Sequence, residues 1–76
     1  MKQLAEYIIK SLVDNPDKVE LSEIESEKTT IIEVRVDEPD IGKVIGRQGR
    51  IIKAIRAILQ ASASKKGKRV VLEMLD

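Results

Sequence analysis

Apolar residues along the chain change period from one stretch to the next, and each change marks an element. From Lys2 to Asp14, Leu4, Ile8 and Leu12 recur every fourth residue with Ala5 and Tyr7 or Ile9 beside them, while Lys2, Glu6 and Lys10 fall elsewhere. This spacing predicts an amphipathic helix. Asn15-Pro16 ends it, because the residue before proline is pushed out of the helical region and Pro16 has no N–H to donate. Val19, Leu21 and Ile24 then alternate imperfectly, with Ser22 and Glu23 out of step, which predicts a short edge strand carrying a bulge and acids on its outer face. After the polar turn Glu25-Ser26-Glu27-Lys28, the run from Thr29 to Asp37 places Ile32, Val34 and Val36 on one face of a second strand, so the two strands form a hairpin.

Pro39 and Asp40 suit a first helical turn, where proline loses nothing and an acid complements the helix dipole. The helix they open is short, Ile41 to Ile45, and meets Gly46-Arg47-Gln48-Gly49, where two glycines three apart permit positive φ and close backbone approach. A longer helix follows, with Ile51, Ile55, Ile58, Leu59 and Ser62 on one face, Ile52 flanking it, and Lys53 and Arg56 pointing elsewhere. Residues 61–67 dissolve into a Ser, Lys and Gly loop, and Val70, Leu72 and Met74 alternate in a last strand. The order is α-β-β-α-α-β. A strand, two helices and a strand make a crossover, so the last two strands lie parallel and the first pairs antiparallel on the other side. The expected fold is α+β, a mixed three-stranded sheet with three helices on one face, in a single domain over residues 1–76 with no repeat or linker.

Composition narrows the chemistry. The 76 residues include no Cys, His, Trp or Phe, which excludes disulfides, zinc fingers and imidazole catalysis. Tyr7 is the sole aromatic residue, so bases cannot be stacked on successive rings. No apolar run approaches the roughly 20 residues that span a bilayer, and an acid interrupts the start of the chain before any signal-like stretch; no membrane association and a cytoplasmic location are expected. The net charge of +1 conceals a division: residues 1–40 carry 5 basic and 11 acidic side chains, residues 41–76 carry 9 and 2. From Ile41 to Leu72 there is no acid at all, as the footprint of a polyanion requires unless folding interleaves the two halves.

The glycine-bounded turn lies inside that basic half. N–H groups opening the helix after Gly49 are expected to face outward at the positive end of its dipole, and neither glycine has a Cβ to hold a sugar-phosphate backbone away. Lys43, Arg47, Arg50 and Lys53 surround the turn with positive charge, and Val44, Ile45 and Ile52 are candidates for an aliphatic groove against unstacked bases. Arg56 is open between a groove contact and a solvated charge; the run Lys65, Lys66, Lys68 and Arg69 is open between phosphate contact and a solubilising loop. Enzyme signatures are missing: Gly42-Lys43-Val44-Ile45-Gly46 has no Gly-Lys-Ser/Thr at Walker spacing, and the pair Asp37 and Asp40 is explained by capping. A helix-turn-helix DNA reader is the nearest rival, but its first helix is too short to brace a recognition helix.

The segment from Val44 to Ile52 resembles the signature of the KH family, whose GxxG loop joins two helices, and the preceding helix and strand resemble its type II, bacterial arrangement. The resemblance covers essentially the whole chain and extends to small stand-alone bacterial KH proteins. It implies a non-enzymatic protein without cofactor or metal that binds single-stranded RNA in a groove for about four bases. Gly46, Arg47, Gln48 and Gly49 match the loop, and Lys43, Val44, Ile45 and Ile52 its flanks, while the segment holding Lys65, Lys66 and Lys68 falls where type II domains place a variable loop, the other groove wall. It further implies homodimerisation, and a heterodimer with a larger, multidomain KH protein of the KhpB, Jag or EloR kind, in RNA regulation or chaperoning and in control of cell elongation and division. The competing expectation is a protein-interaction adaptor whose fold serves mainly to dimerise.

Overall fold

In the computed structural model, which describes residues 1–75, the chain runs as helix α1 (Lys2–Leu12), strands β1 (Glu20–Glu25) and β2 (Thr29–Arg35), helices α2 (Ile41–Ile45) and α3 (Arg50–Ser64), and strand β3 (Arg69–Met74). Single 3-10 turns occupy Pro16–Lys18, Glu38–Asp40 and Arg47–Gly49. The sheet order is β1-β2-β3, with β1 antiparallel and β3 parallel to β2, and the helices cover one face. This is the expected α+β architecture.

The first strand differs from expectation. Its register runs without interruption from Glu20 opposite Arg35 to Glu25 opposite Thr30, so there is no bulge. Regular pairing sends Ile24 to the open face, in a row with Ile31 and Val71, and puts Glu23 and Glu25 on the helix side, opposite Ile32 and Thr30. Only Leu21 of β1 is even half-buried; the rest of this edge strand is exposed, so its apolar pattern had little core to report. Three glutamates on an edge strand also discourage pairing with another chain.

Ile32, Val34 and Leu72 point from the sheet into the core, as the alternation predicts. Both long helices are rotated relative to the stripes read from sequence. Helix α1 buries Ala5 and Ile9, followed by Val13, and leaves Leu4 and Leu12 exposed at its margin; Tyr7 is 73% exposed. Helix α3 buries Ile52, Ile55, Leu59 and Ala63, and Ile58 is half exposed. Each helix has apolar residues over an arc wider than one packed row, so contact with the sheet chooses the row. Each fully buried aliphatic such as Ile9, Ile32 or Leu59 contributes about 1.5–3 kcal/mol.

Asp40 is fully buried, and its role is not the one expected. No side-chain bond from it caps α2. The carboxylate turns back to the end of α1 and accepts the backbone N–H groups of Asp14 (3.2 Å) and Asn15 (3.0 Å). Asn15 completes the corner by donating Nδ2–H to Asp37 Oδ2 at 2.9 Å, and Lys43 Nζ lies 3.7 Å from Asp40 Oδ1. Burial pushes the Asp40 carboxyl up, but the two N–H groups and Lys43 outweigh it and hold it below its ordinary value. A depressed folded value means stability present above the unfolded pKa of 3.8 and lost as pH falls through the folded one. Asp40→Asn is therefore expected to lower the melting temperature at neutral pH, and the gap from the parent to narrow below pH 3.8 in pH-resolved thermal melts.

Candidate nucleic-acid interface

Helix α2 closes with Gly46 N–H donating to Gly42 O at 2.8 Å. Gly46 then takes φ 75° and ψ 173°, a conformation that side chains with a Cβ avoid. Space enforces the same residue: a Cβ on Gly46 would lie 2.5 Å from Cγ1 of Ile51, which packs under the turn. Gln48 is the one non-glycine residue with positive φ among those described (φ 58°), a left-handed conformation costing about 1–2 kcal/mol, and Gly49 follows at φ 74°. Three residues of positive φ in four reverse the chain and present Arg47 and Gln48 to solvent.

The donors of this turn are not those expected. Gly49 N–H is spent on Gly46 O (3.1 Å) and Arg50 N–H on Arg47 O. The N–H groups of Arg47 and Gln48, between the glycines, are the ones without a partner among the described hydrogen bonds. Arg47, Arg50 and Lys53 stand exposed around them with no ion pair among the described residues. Arg50 reaches only Gln48 Oε1, at 3.5 Å.

Other residues singled out from the sequence are placed differently. Lys43 is bound to Asp14 at 2.9 Å, and that bond above all holds its ammonium above the usual lysine value. Lys68 pairs with Glu25 across the end of β2, and Lys68 lowers the Glu25 carboxyl chiefly through this hydrogen bond. The charges of Lys43 and Lys68 are thus committed to acids of the first half, while Lys65 and Lys66 stay exposed in the turn after α3. Val44 and Ile52 are core residues, so they support the loop from beneath and offer no surface to a base. Ile45 is half-buried.

Lys53, Arg56 and Gln60 follow one another along α3 at helical spacing, leading away from Gly49. Arg56 and Gln60 meet the outer edge of β3 and line an open groove of about 410 Å³ with Val70 and Leu72. Arg56 donates Nε–H and Nη2–H to Leu72 O (3.3 and 3.1 Å), and Gln60 accepts Val70 N–H at 3.1 Å while donating to Lys68 O at 3.2 Å. Arg56 is therefore held at the groove. Gln60 had no signal beyond its spacing from Lys53, because the sequence does not say which strand edge this helix face meets.

A family model described as KhpA/KhpB, KH domain matches residues 2–74. The chain belongs to this family. Curated relatives agree in length as well as sequence: "RNA-binding protein KhpA" of Aquifex aeolicus is 58% identical over 76 residues, covering 100% of this chain and 96% of the relative. Proteins of the same name from Borreliella burgdorferi (57% identical, 97% of this chain, 90% of the relative) and Clostridium acetobutylicum (56%, 99% and 100%) are comparably similar. No solved structure matches at a significant level.

The two glycines of this KhpA/KhpB-family loop differ in what they tolerate. Around Gly49 a Cβ meets nothing closer than 3.9 Å, so Gly49→Ala incurs only the left-handed backbone, about 1–2 kcal/mol. Gly46→Ala adds the collision with Ile51, and a loss of at least about 3 kcal/mol is expected. Chemical denaturation of the two variants checks the order; equal losses would contradict the close approach of Gly46 to Ile51.

Proposed function

We propose that this chain is a cytoplasmic, non-enzymatic, single-domain protein that binds single-stranded RNA, with phosphates on the turn from Gly46 to Gly49 and bases in the groove between α3 and β3. The observation that carries this reading is the juxtaposition on one turn of two N–H groups, of Arg47 and Gln48, with three cations, Arg47, Arg50 and Lys53, none of them partnered among the described residues. Phosphate needs both donors and charge, and the glycines let its backbone approach. Relatives named as RNA-binding proteins support the same reading. Among the described residues no group of His, Cys, Asp or Glu can hold a metal, and no helix is long and apolar enough to cross a membrane.

Four nucleotides without an aromatic platform make few favourable contacts, so one copy binds weakly and a second RNA-binding surface supplies avidity. That surface is a second copy of this chain or a multidomain KH protein of the KhpB, Jag or EloR kind, in RNA regulation linked to cell elongation and division. The half-exposed Ile58 on α3 and the exposed Leu4 and Tyr7 on α1 favour such an association through the helical face, and also keep alive the reading in which the fold serves mainly as an adaptor.

Arg47→Asp combined with Gln48→Asp is expected to abolish binding to short single-stranded RNA at low salt, an affinity loss beyond about a hundredfold, with the thermal melt retained. Unchanged affinity would overturn the loop mechanism. For the association, sedimentation equilibrium at high micromolar concentration is expected to show dimers of the parent chain and of the loop double variant, and monomers of Ile58→Asp. A parent that stays monomeric rules out self-association; an Ile58→Asp variant that still dimerises moves the interface away from α3.

A further inference from the structure

The helices cover one face of the sheet, and among the described residues nothing covers the other. Register orders that open face into rows across the strands. Ile24, Ile31 and Val71 form one row, Glu33 and Glu73 lie on one side of it, and Thr29 and Arg69 on the other. A face turned to water is ordinarily polar along each strand, yet Ile24 is 56% exposed here with Ile31 and Val71 half-buried beside it. The acids are equally out of place. Glu33 and Glu73 stand side by side, a like-charge arrangement that costs stability, and neither has an ion pair among the described residues. Glu33 accepts the Ser22 hydroxyl at 3.2 Å, which brings no positive charge. Arg69 is exposed and has no ion pair among the described residues either. An aliphatic row with acids on one side and a cation on the other is complementary to itself.

We propose that the open sheet face docks a second copy of this chain, related by a twofold axis that lies between the two sheets and crosses the strands at the aliphatic row. This rotation stacks each strand on its own counterpart and reverses its direction. Ile24, Ile31 and Val71 then meet themselves across the spacing of about 10 Å between packed sheets, and each flank of the row meets the opposite flank. Glu73 faces Arg69 of the second copy and Glu33 faces its Thr29, and each contact occurs twice. A twofold axis running along β2 instead would stack Glu33 on Glu33 of the second copy, so charge selects the crossing axis. Three rows on three strands are about nine residues per copy, well under the roughly 20–30 a side of a standard interface, so the contact is weak and forms when copies are already crowded together. It uses neither the glycine turn nor Ile58, so it requires no RNA and leaves association through the helical face undisturbed. Pairs joined by their helices keep this face open, and through it they assemble further.

Ile58→Asp removes the helical contact and serves as the background for the test, followed by methyl NMR of the full chain from high micromolar to low millimolar concentration. The methyl resonances of Ile24, Ile31 and Val71 are expected to move with concentration while those of α1 and α3 stay in place. Arg69→Glu and Glu73→Arg each set like charges against one another twice, and each weakens the association by about tenfold. Combining the two reversals restores it to within about threefold. Both positions are exposed and Glu73→Arg also ends the repulsion with Glu33, so its thermal melt is expected at or above that of the background. A double variant as weak as the singles, singles without effect, or sheet methyls that do not move overturn the proposal. Should Ile58→Asp fail to fold, an isotope-filtered NOE experiment on mixed labelled and unlabelled parent chains decides. Contacts from Val71 to Val71 of the other copy support the crossing axis; contacts from Ile24 to Val71, or none, overturn it.

Discussion

A single buried carboxylate ties the short helix before the glycine turn to the corner where the first helix stops. Helix α2 has five residues, far short of the roughly 12–15 at which a helix persists by itself, so its position comes from tertiary contacts: Val44 buried in the core and what grips its ends. Asp40 grips the first end by binding the corner where α1 stops, and the contact of Gly46 with Ile51 grips the other. The carboxylate is tolerable in the interior because two N–H groups and Lys43 meet its charge. Through Asp40 the placement of an N-terminal helix and the placement of the glycine turn become one problem.

This arrangement also redistributes the charge. An acidic half and a basic half suggested a dipole, and folding interleaves them at two places, Lys43 with Asp14 and Asp40, and Lys68 with Glu25. Both pairings remove a lysine from the basic face and use it to join elements distant in sequence. The cations left unpaired around the glycine turn, Arg47, Arg50 and Lys53, are consequently more local than the count of nine basic residues implied. A field confined to one turn guides a polyanion to a defined place.

The turn is preorganised at some cost. Gln48 is held in a left-handed conformation, and its N–H and that of Arg47 have no partner among the described hydrogen bonds, while the following two N–H groups are consumed inside the turn. Strain maintained by surrounding packing at an exposed, charged turn is characteristic of binding sites. The β3 edge carries a second preorganised arrangement, held by Arg56 and Gln60 in place of a neighbouring strand.

Element order, strand pairing and the glycine turn were legible in the sequence because each rests on a local rule: period 2 or 3.6, proline at a boundary, glycine where φ turns positive. The core face of β2 and β3 was legible too, since alternation admits only two answers. Helices admit more. Apolar arcs on α1 and α3 wider than one row let the sheet select Ala5 and Ile9, or Ile55 and Leu59, and leave Leu4, Tyr7 and Ile58 outside. The edge strand β1 misled for the opposite reason, having almost no buried face to impose a pattern. Most long-range polar partners were equally out of reach. That Asp40 binds the end of α1, that Lys43 and Lys68 pair with acids 29 and 43 residues earlier, and that Arg56 meets Leu72 depend on which surfaces the chain brings together. Sequence by itself determined what each segment can form and that basic residues gather around a glycine turn; tertiary contact decided which face each helix buries and which of those charges are paired, because those are set by a neighbour that local periodicity does not identify.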